Sequence, residues 1–212
     1  MKKTMVLVFF FLFATLSAGA QRQADPEADF SFRIIDNGAA VEITGYTGSA
    51  TDVIIPARIQ NLPVTVIGEE AFWDNQLTGV SVPGGITHIL DGAFAENQLT
   101  SISIPSGVTH IGWGAFAFNQ LTSVSIPASA AFIGAGAFRD NRLTGVSFPS
   151  GVTYIGASAF QDNQLADVSF PNGITNIGAS AFKNNKLTGV SVPRDAFVFH
   201  NAFDPGVEVI WR

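Results

Sequence analysis

Cysteine is absent from this 212-residue chain. No disulfide can staple the fold, no thiolate can act as nucleophile or metal ligand, and no cysteine is present to carry a lipid at a leader junction. Basic residues are scarce, 11 Lys and Arg against 17 Asp and Glu, and they form no run. That balance argues against a nucleic-acid partner and against binding to anionic membrane surfaces. Beyond residue 20 no apolar stretch approaches the roughly 18 residues that a membrane span needs. A nucleophile elbow, a phosphate-binding loop and an H-E-x-x-H helix are all missing. Serine recurs at a fixed interval, but no base recurs beside it. The chain therefore reads as a non-enzyme, with no cofactor and no metal.

What is present begins with a leader. In residues 1–20, Lys2 and Lys3 precede an apolar run over 5–16, and Ser17, Ala18, Gly19 and Ala20 follow it. This is the pattern of a secretory signal peptide cut before Gln21. The expected product is exported, whether secreted, held at the cell surface or periplasmic, with no membrane span in the mature chain. Losing the two lysines leaves 9 basic and 17 acidic residues, a formal charge of −8.

The rest is dominated by one repeat. Residues 99–120 read LTSISIPSGVTHIGWGAFAFNQ, and close variants return every 22 residues from 77 to 186, with partial copies on either side. A fixed period of this length signals a solenoid, in which each coil buries its apolar face against its neighbours. Within a coil, L-x-x-V-S-V alternates as a short strand should, with Ser81, Ser103, Ser125, Ser147, Ser169 and Ser191 facing outward. A proline ends each strand, since it cannot donate to a ladder. A second apolar pair then predicts an extended piece with a kink, followed by a helical turn carrying Ala-Phe. Phe72, Phe94, Phe116, Phe138, Phe160 and Phe182 are expected to stack as an internal spine, one ring per coil. Asn75, Asn97, Asn119, Asn141, Asn163 and Asn185 follow three residues later and are expected to satisfy main-chain groups at the bend.

The ends depart from the period. Two β-prone runs flank Asp36-Asn37-Gly38, which predicts a hairpin cap over residues 21–50. The repeats fill 51–193, the first lengthened by a loop around Arg58 to Leu62. Residues 194–212 form a closing segment, in which Ala202-Phe203 echoes the Ala-Phe column one residue early and Trp211 suits a lid over the last Phe.

The consensus L-x-x-V-S-I-P-x-x-V-T-x-I-G-x-x-A-F-x-x-N-x resembles the bacterial BspA-like, or treponemal-type, leucine-rich repeat, and the resemblance covers residues 30–212. The Asn75 column is often Cys in that family, with Asn a common alternative. The resemblance implies an α/β leucine-rich-repeat solenoid, right-handed, of short parallel strands and short helical turns, with a parallel sheet on its concave side. It further implies adhesion to host or microbial surfaces, with extracellular matrix proteins such as fibronectin and fibrinogen among the ligands of relatives. The shared columns are structural, so no functional residues carry over.

Binding residues are therefore sought where a column is broken. Trp113 stands where other coils have Glu69, Asp91, Ala135, Ala157 and Ala179, and Phe118 where they have Asp74, Glu96, Asp140, Asp162 and Asn184. Both columns tolerate charge, so both aromatics are expected at the surface, where clustered Trp and Phe make an interaction hot spot for a protein ligand. His110 and Tyr154 extend the candidate patch. The alternative is that Trp113 and Phe118 pack on each other as a local shield. Phe132 is expected to turn inward beside Ala130, and Trp73 to belong to the cap. His88 and His110 occupy equivalent places in adjacent coils, and either share a zinc or form an exposed rib; Phe132 and Tyr154 at the next places favour the rib. Acidic early coils and basic later ones leave head-to-tail self-association open as a second role.

Overall fold

The computed structural model describes residues 23–212, so the leader at 1–20 and its cleavage point lie outside the described residues. Strand β1 (Phe30–Ile35) and strand β2 (Ala40–Tyr46) pair antiparallel around Asp36 and Asn37, both at φ 53°. Asp and Asn tolerate this left-handed conformation, and the Asn-Gly turn signal is realised as a hairpin. Strand β3 (Asp52–Ile54) opens the first coil. The expected loop after it is instead a second, smaller hairpin: β4 (Arg58–Ile59) pairs antiparallel with β5 (Leu62–Ile67) across Gln60 and Asn61, at φ 50° and 66°. From β5 onward the chain winds as parallel coils.

The continuous sheet is not built from the strand segment that the sequence favours. It runs from β1 through β2 and β5 and then through two-residue strands, His88–Ile89, His110–Ile111, Phe132–Ile133, Tyr154–Ile155, Asn176–Ile177 and Phe197–Val198. The kinked segment of the repeat thus carries the unbroken ladder. A column of glycines permits it, because at Gly134 a Cβ would lie 2.6 Å from the carbonyl carbon of Gly112, in the coil before. The L-x-x-V-S-V segment forms a two-stranded sheet, β3 with Gly79–Ser81, and a four-stranded one, Gly145–Ser147, Asp167–Ser169, Gly189–Val192 and Glu208–Trp211. Coils 99–120 and 121–142 carry no assigned strand there.

The Ala-Phe segment is a turn and not a helix, so the fold is a β-solenoid, and the α/β expectation is corrected. The reason lies in where its N–H groups point. Gly92, Phe94 and Glu96 donate to the carbonyls of Trp113, Ala115 and Ala117 in the next coil, at 2.7, 2.8 and 3.0 Å. Only the residues between them bond back within the turn, Ala93 to Leu90 and Ala95 to Gly92. An α-helix needs every N–H for its own i−4 carbonyl. Here every second one stitches coil to coil.

The expected phenylalanine spine is present. Phe72, Phe94, Phe116, Phe138, Phe160 and Phe182 are fully buried, with successive centroids 5.0–5.5 Å apart. Phe30 and Tyr46 meet Phe72 at one end, with centroids at 6.3 and 5.7 Å. At the other end Phe203, not Trp211, covers Phe182, at 5.5 Å. Trp211 pairs with Val192 at the edge of the four-stranded sheet and stays 43% exposed.

The asparagine column does the predicted work in five of six coils. Asn97 accepts the Leu77 N–H at 2.8 Å and donates to the carbonyls of Phe72 and Phe94 at 2.7 and 3.1 Å, so one side chain ties two coils. Asn119, Asn141, Asn163 and Asn185 repeat the pattern. Asn75 differs, because its buried Oδ1 has no hydrogen-bond partner. The Ala50 N–H, which stands where Leu77 stands one coil later, donates instead to the Tyr46 hydroxyl at 3.2 Å.

Candidate binding groove

Residues of three successive coils line one open groove of about 380 Å³. The first coil contributes Trp73 with Glu69 and Glu70, and the third contributes Trp113 and Phe118. Between them the second coil presents Gly92 and Ala95, with Asp91 and Glu96. Stacking at a fixed register is what brings residues this far apart in sequence together. Small side chains in the middle coil leave the hollow.

The aromatics are held by the backbone beneath them. The Trp113 N–H donates to Asp91 Oδ1 at 2.7 Å, and the Trp113 carbonyl accepts from the Gly92 N–H at 2.7 Å. Phe118 donates its N–H to the Arg139 carbonyl at 2.9 Å. Its φ is 55°, a conformation that its column otherwise gives to Asp74, Glu96, Asp140, Asp162 and Asn184. The turn of every coil imposes this conformation, and a bulky side chain in it is an outlier. The Arg139 guanidinium lies over the Phe118 ring, 5.9 Å from its centroid, while its Nε pairs with Asp140 at 2.9 Å.

Trp113 is 62% exposed, Phe118 48% and Trp73 46%. A mutual shield would have buried Trp113 and Phe118. Trp73, expected with the cap, instead forms the opposite wall. Its column continues as Ala95 and Ala117, and a large residue followed by two small ones was the readable sign of a hollow beside it.

His110 and Tyr154 are not part of this groove. They are rungs of a separate column on the continuous sheet, where His88, His110, Phe132 and Tyr154 stack with centroids 5.4, 5.8 and 4.8 Å apart. Phe132 faces outward in this column. Strand alternation decides it, since the adjacent Ile133 takes the buried face. The imidazole Nδ1 atoms of His88 and His110 lie 2.9 and 3.2 Å from the hydroxyls of Thr87 and Thr109. Among the described residues no group of three or more His, Asp or Glu side chains could hold a metal ion. A larger depression of about 480 Å³ lies on the four-stranded sheet beside Ser169 and Ser191. Arg212 at its rim is already engaged by the Phe170 carbonyl and Asn172.

A β-solenoid of 22-residue coils, with the repeated apolar and asparagine columns inside, defines a repeat scaffold. The model of the BspA type leucine rich repeat region matches residues 65–188 in 6 copies, and the chain belongs to that family. Its bacterial leucine-rich repeats are a general protein-interaction fold. No curated protein matches the chain. Among solved structures, the leucine rich repeat protein of T. pallidum is similar over 88% of this chain and 86% of its own, at 25% identity and a TM-score of 0.68. A leucine-rich repeat protein of Bacteroides ovatus is similar over 90% of this chain and 67% of its own, at 16% identity and a TM-score of 0.49. A leucine rich cell surface protein of Faecalibacterium prausnitzii is similar over 92% and 78%, at 22% identity and a TM-score of 0.41. Among the described residues no helix is long and apolar enough to cross a membrane.

Proposed function

We propose that this chain is an exported, non-catalytic binding module of adhesin type. It recognises a protein on a host or microbial surface through the groove of Trp73, Trp113 and Phe118. The observation that carries this reading is the exposure of three large aromatics around one hollow, on coils locked by the asparagine and phenylalanine columns. Exposed aromatics on a rigid support lose little conformational entropy on binding and supply most of the energy at protein interfaces. The leader at residues 1–20 and the absence of cysteine accord with a soluble exported product.

The test is direct binding of residues 21–212 to immobilised fibronectin, fibrinogen and a panel of cell surfaces, with a Trp113→Ala/Phe118→Ala variant in parallel. Saturable binding that the variant loses supports the reading. Binding that the variant keeps removes the groove from it.

A second reading is self-association within the envelope. Its support is the strand Glu208–Trp211, the last of its sheet among the described residues, where Ile210 is 53% and Trp211 43% exposed. Sedimentation that gives a monomer mass at every concentration eliminates it.

A further inference from the structure

We infer that the groove accepts a cationic side chain, lysine or arginine, from a basic segment of the partner protein. This rests on the reading of the groove as a binding site and adds the chemistry of its occupant. Three observations converge on it. Two of the lining residues are Trp73 and Trp113, whose indole faces attract ammonium and guanidinium groups. Four carboxylates, Glu69, Glu70, Asp91 and Glu96, line the same hollow, and neither lysine nor arginine does. Among the described residues no ion pair engages Glu69, Glu70 or Glu96.

The molecule already shows this chemistry once, at the neighbouring rung. Arg139, from the next coil, places its guanidinium over the Phe118 ring and its Nε within 2.9 Å of Asp140 and 3.6 Å of Asp162. A cation held between an aromatic face and carboxylates is thus an arrangement that this repeat geometry accommodates. In the groove Trp73 and Trp113 offer further aromatic faces beside Glu69, Glu70 and Glu96, with no lysine or arginine among the lining residues.

Other occupants fit less well. An apolar side chain would desolvate the carboxylates with no compensating partner. An anionic ligand, whether nucleic acid, phosphate or lipid headgroup, would meet like charge. A volume of about 380 Å³ suits one or two long side chains and not a folded domain, so the donor is an extended or loop segment.

The experiment titrates residues 21–212 with hexalysine and hexaarginine, with hexaglutamate as control, following tryptophan fluorescence and heat. Trp73 and Trp113 are two of the three tryptophans in the chain, so groove occupancy is reported directly. Expected are saturable binding of the basic peptides, none of hexaglutamate, and a loss of at least about tenfold in a Glu69→Gln/Glu70→Gln/Glu96→Gln variant. The Trp113→Ala/Phe118→Ala variant must lose affinity as well. Binding that the aromatic variant leaves unchanged is non-specific attraction to an acidic protein, and overturns the inference. A mass that rises with concentration in the native chain and falls back in the glutamine variant makes the occupant a second copy, and overturns it also. If a surface protein binds through Trp113 and Phe118 with unchanged affinity for the glutamine variant, the binding module stands and the cationic occupant falls.

Discussion

Replacing Phe118 with Asn separates a structural role from a displayed one. Phe118 sits at φ 55° and is 48% exposed. A β-carbon in the left-handed region costs roughly 1–2 kcal/mol, and Asn, as at Asn184 in the same column, tolerates it best among residues other than glycine. Against this relief stands the Arg139 contact at 5.9 Å, worth about 0.5–1 kcal/mol at an exposed site. The balance is a stability unchanged or raised by up to ~1.5 kcal/mol, a melting temperature higher by ~0–6 °C on the usual scale for a domain of this size. A phenylalanine that held the core would lose about 3–5 kcal/mol on truncation, an outcome of opposite sign and far outside that range. Thermal melting followed by circular dichroism, with urea unfolding alongside, distinguishes them. A drop of more than about 2 kcal/mol, well outside the surface range, would show that Phe118 supports the fold and that its backbone strain has a structural cause. Ligand affinity measured on the same variant should fall.

Other perturbations probe the scaffold. Asn119→Ala leaves the Leu99 N–H without its partner, while the Phe94 carbonyl keeps the Asn97 amide; at about 1–3 kcal/mol for a buried group left unpaired, urea unfolding should register a loss of that size. Asn75→Ala should cost clearly less, because the Asn75 Oδ1 accepts nothing. Gly156→Ala would place a Cβ 2.5 Å from the Ala135 nitrogen and 2.6 Å from the Gly134 carbonyl carbon, and backbone cannot yield as a side-chain tip does. A melting-point loss equivalent to about 1–3 kcal/mol is expected, while Gly84→Ala, with nothing within 4 Å, should be silent.

The solenoid was legible in the sequence because its columns repeat one physical demand per coil. Phe116 must fill the centre of its coil and meet the rings above and below, and Asn119 must pair main-chain groups that the bend leaves open. Strand identity was harder to read. In Thr109-His110-Ile111-Gly112 the alternation lasts only two residues, too short for a periodic signal, yet Gly112 permits the close approach of coils on which the ladder depends. Local pattern also favoured a helical turn at Ala115-Phe116. Only the stacked neighbour, which takes every second N–H, excludes it. Trp113 and Phe118 stood out as exceptions to their columns. Trp73 did not, because its coil is irregular and the hollow belongs to three coils at once. His110 lies three residues before Trp113, yet the coil turns between them and sends them to different surfaces.

In the proposed function the aromatic groove binds while the columns support it. The most direct measurement is surface-captured binding of the Trp113→Ala/Phe118→Ala variant to fibronectin or fibrinogen, beside a melting curve of the same preparation. Affinity should fall at least about tenfold, as loss of interface anchors requires, with a melting temperature within about 2 °C of the native chain, as for surface substitutions. Native affinity, or a collapse of the melting temperature together with binding, would contradict it.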